Sequence, residues 1–211
     1  MEFESYRREY TAGGLALEML DASPFRQFEH WLEQAVNAGL SDPTAMSLAT
    51  RDADGYPWQR IVLLKGLSGG GFVFYTNYRS NKAHAIAGDS RVSLLFPWNE
   101  LDRQVIVAGT AGKMSMAESA RYFLSRPHES QIAAWASRQS RPIPARAALE
   151  AEVSRLKARF SEGRVPVPDF WGGFRVVPHK VEFWQGGEHR LHDRFVYTRR
   201  DDAWEIEQLQ P

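Results

Sequence analysis

Residues 182–195, EFWQGGEHRLHDRF, concentrate Trp184, His189, Arg190, His192 and Arg194 around the glycine pair Gly186-Gly187. Imidazoles titrate near neutrality and can pass protons, while a guanidinium can polarise or neutralise an oxygen that gains charge. Three readings fit this segment taken alone. It can be an exposed hairpin loop turning at the glycines, with His189 and His192 as ordinary surface side chains. It can ligate a metal, since His189 and His192 are three apart and Asp193 is adjacent. Arg190 and Arg194 oppose that reading by placing two positive charges against the cation. The third reading is a catalytic surface of arginine and histidine.

A second set consists of cations and hydroxyls at strand ends and loop starts. Arg60 and Lys65 bracket an apolar strand, Thr76 closes another, Ser80 and Lys82 come just after it, and Arg126, Ser130 and Ser140 lie further on. A phosphate dianion needs such donors, because each oxygen accepts charge-assisted bonds from Arg, Lys or hydroxyls. For any one of these residues, solvated surface charge is the competing reading. No GxGxxG or Walker-type loop is present, so a phosphate would be held by side chains on a β scaffold, not by a glycine-rich helix start.

The scaffold for these residues is set by the rest of the chain. The 211 residues fit one domain. Lys+Arg and Asp+Glu both number 26, so the zero net charge offers no long-range attraction to nucleic acid, and any anion site is local. There is no cysteine, which rules out disulfides, a thiolate nucleophile and Cys-ligated metal. The N-terminus, MEFESYRREYTAGG, carries charges where a signal peptide would be apolar, and no run approaches the ~20 apolar residues of a membrane span. A soluble, cytoplasmic protein is expected.

Ser23-Pro24 reads as an N-cap with proline at the first helical position, and Phe25, Phe28, Leu32, Ala35 and Val36 recur at helical spacing up to Gly39. Residues 45–50, 59–64, 72–76, 92–96 and 104–111 read as strands between turn signals. The consecutive apolar residues Ile61, Val62, Leu63 and Leu64 suggest a strand covered on both faces, by helices or by a partner subunit outside a barrel. Residues 117–160 turn helical, with Leu149, Val153, Leu156 and Phe160 on one face after a start at Pro144. Strands 174–177, 181–184, 195–198 and 204–209 complete the chain and join the same sheet system. No internal repeat or long linker is present.

Several of these segments together resemble the pyridoxine/pyridoxamine 5′-phosphate oxidase family: RIVLLK (60–65), FYTN (74–77), SLLFPW (93–98), RQV (103–105), SRP (125–127), SQI (130–132), FWGGFR (170–175) and residues 182–195. The similarity runs from about Arg7 to the end of the chain. It implies a mainly β protein with flanking helices, the FMN-binding split β-barrel, working as a homodimer with flavin mononucleotide (FMN) between subunits. Residues 1–22 would be a mobile leader or lid and residues 23–211 the barrel domain. The implied activity is oxidation of pyridoxine 5′-phosphate or pyridoxamine 5′-phosphate to pyridoxal 5′-phosphate, with O2 as acceptor and no metal. By the same resemblance, Arg60, Lys82, Gln139 and Ser140, with Asn81, Tyr75 and Thr76 beside them, hold the FMN phosphate and nearby polar groups. Ile61, Val62, Leu63, Leu64 and Lys65 run along the cofactor, and Gln104, Trp184 and Arg194 border the flavin ring. Lys65, Tyr122, Arg126 and Ser130 clamp the substrate phosphate. Arg190 and His192 are the catalytic pair, and Arg7 and Tyr10 close the site.

Two positions depart from the family pattern. Asn81 stands where members usually have arginine, and Leu15-Ala16-Leu17-Glu18 replaces a run of leader arginines. Two other functions compete: a flavin oxidase of the phenazine-pathway type, for which a phosphate clamp has little use, and a non-catalytic flavin or pyridoxal phosphate carrier, which has no need of Arg190 and His192 together.

Overall fold

The computed structural model describes residues 3, 8–11, 13–161 and 163–211. Among these described residues, nine strands form one antiparallel sheet: β1 (Ala45–Arg51), β2 (Pro57–Leu63), β3 (Gly66–Ser68), β4 (Gly71–Asn77), β5 (Arg91–Trp98), β6 (Arg103–Lys113), β7 (Trp171–Gln185), β8 (Asp193–Arg200) and β9 (Ala203–Leu209). The order is β2-β1-β5-β6-β7-β4-β3, with β8 paired to β7 and β9 to β8. The sheet curls until β2 touches β4. Five helices pack around it: α1 (Pro24–Asn37), α2 (Asn81–Gly88), α3 (Met116–Ser125), α4 (His128–Ala136) and α5 (Arg146–Arg159). No helix among the described residues is long and apolar enough to cross a membrane.

Strand β5 shows the inside-outside alternation of a sheet with one buried face, with Val92, Leu94, Phe96 and Trp98 inward. The apolar stripe of α1 closes the core. Phe28 is fully buried and meets Phe72, Phe96 and Trp98 at ring separations of 5.0, 4.7 and 5.7 Å. A second core forms beneath α3, α4 and α5, where Leu156 and the half-buried Leu149, Val153 and Phe160 pack with Phe123, Ile132 and Trp171. The apolar face expected of residues 149–160 is therefore real, although α5 starts at Arg146 with Ala145 as its N-cap, two residues beyond Pro144.

The structure changes or narrows three sequence expectations. Residues 174–177 and 181–184 belong to one 15-residue strand, β7, not two. Pro178 suggested a break, but it sits beside a register shift in which Gly109 faces Pro178 and Ala108 faces Lys180, and such an irregularity absorbs the missing N–H. Strand β2 is not covered on both faces within one chain: Ile61 is 63% exposed and Leu63 41%. Burying them requires something outside this chain. Finally, part of the leader joins the body, since Leu15 is buried in the main core and the Asp21 carbonyl accepts a hydrogen bond from the Tyr197 hydroxyl at 2.7 Å.

Phe28→Ala should cost about 3–5 kcal/mol of stability, because it empties a site ringed by rigid aromatic side chains. Urea unfolding of the FMN-free protein measures it; a loss below about 1 kcal/mol would mean that the core there collapses freely.

Candidate functional site

The cationic residues meet where β2, β4 and the start of α2 converge. Arg60 projects from β2, and its Nη1 donates to the Leu48 carbonyl at 3.0 Å and to Thr50 Oγ1 at 2.7 Å. Lys82 lies in the first turn of α2. Its Nζ donates to Thr76 Oγ1 at 3.2 Å and Gln139 Oε1 at 3.1 Å. Among the described residues neither cation has a carboxylate partner. Burial pushes both pKa values down, and for Lys82 the neighbouring Arg60 charge pushes further. Two desolvated cations with spare donors form a place for an anion.

Local backbone features fix this corner. Ser80, fully buried, caps α2 by accepting from the Ala83 N–H, so its hydroxyl serves the helix. Ser140 has the left-handed φ of 68°, and its Oγ accepts from the Asn81 N–H at 3.2 Å. A cavity of about 1000 Å³ is lined here by Arg60, Asn81, Lys82, Gln139 and Ser140, and also by Trp58 and His84.

A second cavity, of about 430 Å³, adjoins it through Arg60, Lys82 and Gln139. Its walls include Ile61, Val62, Leu63, Lys65, Tyr75, Thr76, Tyr122 and Arg126, so three of the four expected clamp residues face one space. Tyr122 and Arg126 are four apart, at one face of α3 and its C-cap. The Tyr122 ring stacks on Tyr75 at 3.9 Å, and the Arg126 guanidinium lies 4.7 Å over Trp171. One Arg126 terminal nitrogen is buried without a hydrogen-bond partner, and burial lowers the pKa of the group. An unsatisfied buried donor beside a cavity is costly unless a ligand supplies the acceptor.

Of the residues expected along β2 and in the substrate-phosphate clamp, two fall outside these walls. The Leu64 side chain is 5% exposed and belongs to the main core, because alternation turns it away from the face that Ile61 and Leu63 present. Ser130 is half-buried on α4, one turn before the wall residue Ala134. Conversely, Asn77, Ala133, Ser137 and Trp171 line the second cavity without having been assigned a role. Trp171 lay within the FWGGFR motif, but nothing in the motif says what its ring touches. The adjacent glycines have a steric reason: a Cβ on Gly172 would overlap the Tyr78 hydroxyl, and one on Gly173 the Met114 sulfur.

The remaining residues form a separate group. Gln104, Trp184 and Arg194 are directly opposite one another across β6, β7 and β8, hence on one face of the sheet. Arg194 Nε donates to Glu182 Oε1 at 2.9 Å, which raises its pKa. The loop between β7 and β8 carries Arg190 and His192. His189 and Arg190 both have left-handed backbones, with φ of 55° and 67°. His192 Nδ1 accepts from the Gly187 N–H at 3.1 Å, so in the neutral ring the proton resides on Nε2. Asp193 accepts from the Leu15 N–H at 2.9 Å, so two of the three potential metal donors are already engaged by backbone amides. Tyr10 packs edge-on against Trp184 at 5.7 Å and His192 at 5.4 Å. Arg7 lies outside the described residues. None of Gln104, Trp184, Arg190, His192 and Arg194 lines either cavity.

The sequence model of the pyridoxamine 5′-phosphate oxidase family matches residues 32–160, and that of the pyridoxine 5′-phosphate oxidase C-terminal dimerisation region matches residues 171–211. The chain belongs to this oxidase family. The pyridoxine/pyridoxamine 5′-phosphate oxidase of Aeromonas hydrophila is 59% identical over all 211 residues and the full length of that protein. That of Shewanella frigidimarina is 56% identical over 210 residues, covering 100% of this chain and 99% of the relative. Among solved structures, PhzG of Burkholderia lata, in complex with tetrahydrophenazine-1-carboxylic acid, superposes with a TM-score of 0.88 at 30% identity, over 93% of this chain and 98% of that one. An FMN-binding protein of Nostoc punctiforme related to the oxidase family shares the fold with a TM-score of 0.70 at 16% identity, over 91% of this chain and 100% of that one. The dimerisation region takes in β7, β8 and the loop between them, and with them Trp184, Arg190, His192 and Arg194, but not Gln104 on β6.

Lys82 gives this site a measurable signature. An FMN phosphate binds the ammonium form better, so FMN affinity should be full below the lowered Lys82 pKa and fall as pH rises through it, earlier than for an ordinary lysine. Lys82→Met should remove that alkaline limb and weaken binding at neutral pH by about 1.5–3 kcal/mol. Titrations of apo-protein across pH check both; an identical limb in the variant would assign the titration elsewhere.

Proposed function

We propose that the chain is an FMN-dependent oxidase that converts pyridoxine 5′-phosphate and pyridoxamine 5′-phosphate to pyridoxal 5′-phosphate, with O2 as acceptor. It acts as a homodimer. The observation that carries this reading is the pair of adjoining cavities, each offering cations without carboxylate partners, in a chain up to 59% identical to named oxidases of this substrate pair. Two neighbouring anion subsites suit a cofactor and a substrate that each bear a phosphate.

The residues present fit FMN. Arg60, Lys82, Gln139 and Ser140 supply donors for its phosphate, with Asn81, Thr76 and Tyr75 alongside, and the exposed Ile61 and Leu63 supply apolar surface for a flat ring. Held by these residues, FMN would supply hydride-accepting chemistry, with O2 as the final electron acceptor and hydrogen peroxide as its product. The protein's own work is binding and orientation. Lys65, Tyr122 and Arg126 take the substrate phosphate, and the buried free donor of Arg126 gains its missing acceptor. Anchoring the remote phosphate holds the exocyclic carbon in place and converts binding energy into orientation.

Gln104, Trp184 and Arg194, on the dimerisation region and its neighbouring strand, would complete the flavin site across the subunit boundary. The Arg194 guanidinium, kept charged by Glu182, then favours the added electron density of the reduced ring. Arg190 orients the substrate alcohol or amine, with His192, its Nδ1 fixed by Gly187, beside it, and the proton that this oxygen or nitrogen sheds as the hydride leaves the exocyclic carbon passes to solvent water. For the amine substrate, water then releases ammonia from the imine.

The purified protein should be yellow, should bleach when pyridoxamine 5′-phosphate is added without oxygen, and should recover on admitting air with release of peroxide. A colourless protein that gains no flavin spectrum from added FMN would defeat the reading. Bleaching by a non-phosphorylated aromatic substrate alone would favour the phenazine-type alternative instead. Arg190→Met should depress turnover strongly with FMN binding intact, whereas Lys65→Ala should weaken the phosphorylated substrate by about 1.5–3 kcal/mol. Steady-state kinetics beside FMN titrations separate the two roles, and parallel loss of flavin affinity in either variant would reassign that residue.

A further inference from the structure

The turn between β5 and β6 contains a carboxylate that the reaction does not use. Asp102 is 4% exposed and has a left-handed backbone, φ 53°. Its carbonyl accepts from the Gly186 N–H at 2.7 Å and from Gln185 Nε2 at 3.2 Å, which stitches this turn to the root of the Arg190 loop. Its Oδ1 is buried and receives no hydrogen bond of normal geometry; among the described residues its ion-pair partner is Arg8 of the leader. Arg8 also donates to the Asn99 carbonyl at 2.7 Å.

A carboxylate buried this deeply is costly without a cation beside it. The cation comes from the leader, so the burial cost of Asp102 adds a force that docks this segment. Anchoring Arg8 places the next two residues. Glu9 accepts from the His189 N–H at 3.3 Å. The Tyr10 ring lies between two guanidinium groups, Arg8 at 5.0 Å and Arg190 at 5.6 Å. It also fills the space over Gly186, where a Cβ would come within 2.8 Å of its ring.

We propose that Asp102 is a positioning residue for the oxidase reaction: through its ion pair with Arg8 it holds Tyr10 closed over the Arg190 and His192 face. This rests on the function proposed above, because closure matters only if substrate binds at that face. Tyr10 is the leader side chain that packs on His192 and Arg190, and the Asp102–Arg8 ion pair acts through it. Breaking the pair lowers the fraction of molecules in the closed, binding-competent form, and apparent substrate affinity falls in proportion.

The test uses FMN-loaded dimer carrying Arg8→Ala, Asp102→Asn or both, with Arg8→Lys as the conservative control. Each single variant should raise KM for pyridoxine 5′-phosphate by about five- to tenfold with little change in kcat, in line with a smaller competent fraction. FMN affinity should stay at the wild-type value. The double variant should be no worse than the more severe single one, since one contact is lost once, and Arg8→Lys should retain most of the affinity. Hydrogen exchange of residues 8–15, measured without substrate, should accelerate in both single variants. Unchanged exchange and KM in Arg8→Ala, multiplicative effects in the double variant, or loss of FMN in step with KM in Asp102→Asn would each overturn the proposal. Arg8→Ala decides the matter even if Asp102→Asn folds poorly, as Arg8 is 57% exposed. Wild-type protein that exchanges as expected but oxidises nothing would instead count against the oxidase reading.

Discussion

Unpaired positive charge in a partly desolvated corner is the constraint around which this molecule is organised. Among the described residues, Arg60 and Lys82 stand together without a carboxylate, and Arg126 keeps a buried nitrogen without an acceptor. Each arrangement costs stability in the empty protein and is relieved by an anion. The surrounding structure is rigid enough to bear that cost: β2 and β4 are held in an antiparallel sheet, Ser80 caps α2, and the stacked rings of Tyr75, Tyr122 and Trp171 back the second cavity. Binding energy for an anion is thereby built into the fold before any ligand arrives.

The residues named above fall into two separate groups for a related reason. The cations sit at the β2 and β4 side of the curled sheet, while Gln104, Trp184 and Arg194 form a cross-strand row on β6, β7 and β8. The apolar residues Ile61 and Leu63 stay exposed between them and any second surface. Covering that surface with cofactor and partner satisfies the exposed apolar groups and the unpaired cations at once, so dimer formation and flavin binding are expected to be linked by mass action.

In the leader the signs are reversed. There a buried anion, Asp102, needs a cation, and the chain provides it from Arg8. Electrostatic compensation thus ties a segment with few apolar anchors to the loop that bears Arg190 and His192. Opposite charges buried at two ends of the site shape it from both sides.

Much of this was legible in the sequence. The strand segments, the amphipathic face of α1 and the phosphate-binding residue types come from periodicity and side-chain chemistry, which are local properties. The family resemblance supplied the identity of the cofactor and the grouping of distant residues, which local patterns do not contain. The single strand β7 was hidden by Pro178, because proline signals a break unless an irregular register absorbs it. Leu64 looked equivalent to Ile61 and Leu63 in an apolar run, yet strand alternation buries it in the core. Asp102 and Arg8 carried no signal at all. They are 94 positions apart, and their pairing exists only because the β5–β6 turn and the leader meet at Gly186. Residue types and short-range spacing, both present in the bare chain, set which chemistry was available. Which charges lie buried without partners was settled only on folding, since burial and pairing depend on how distant strands come together.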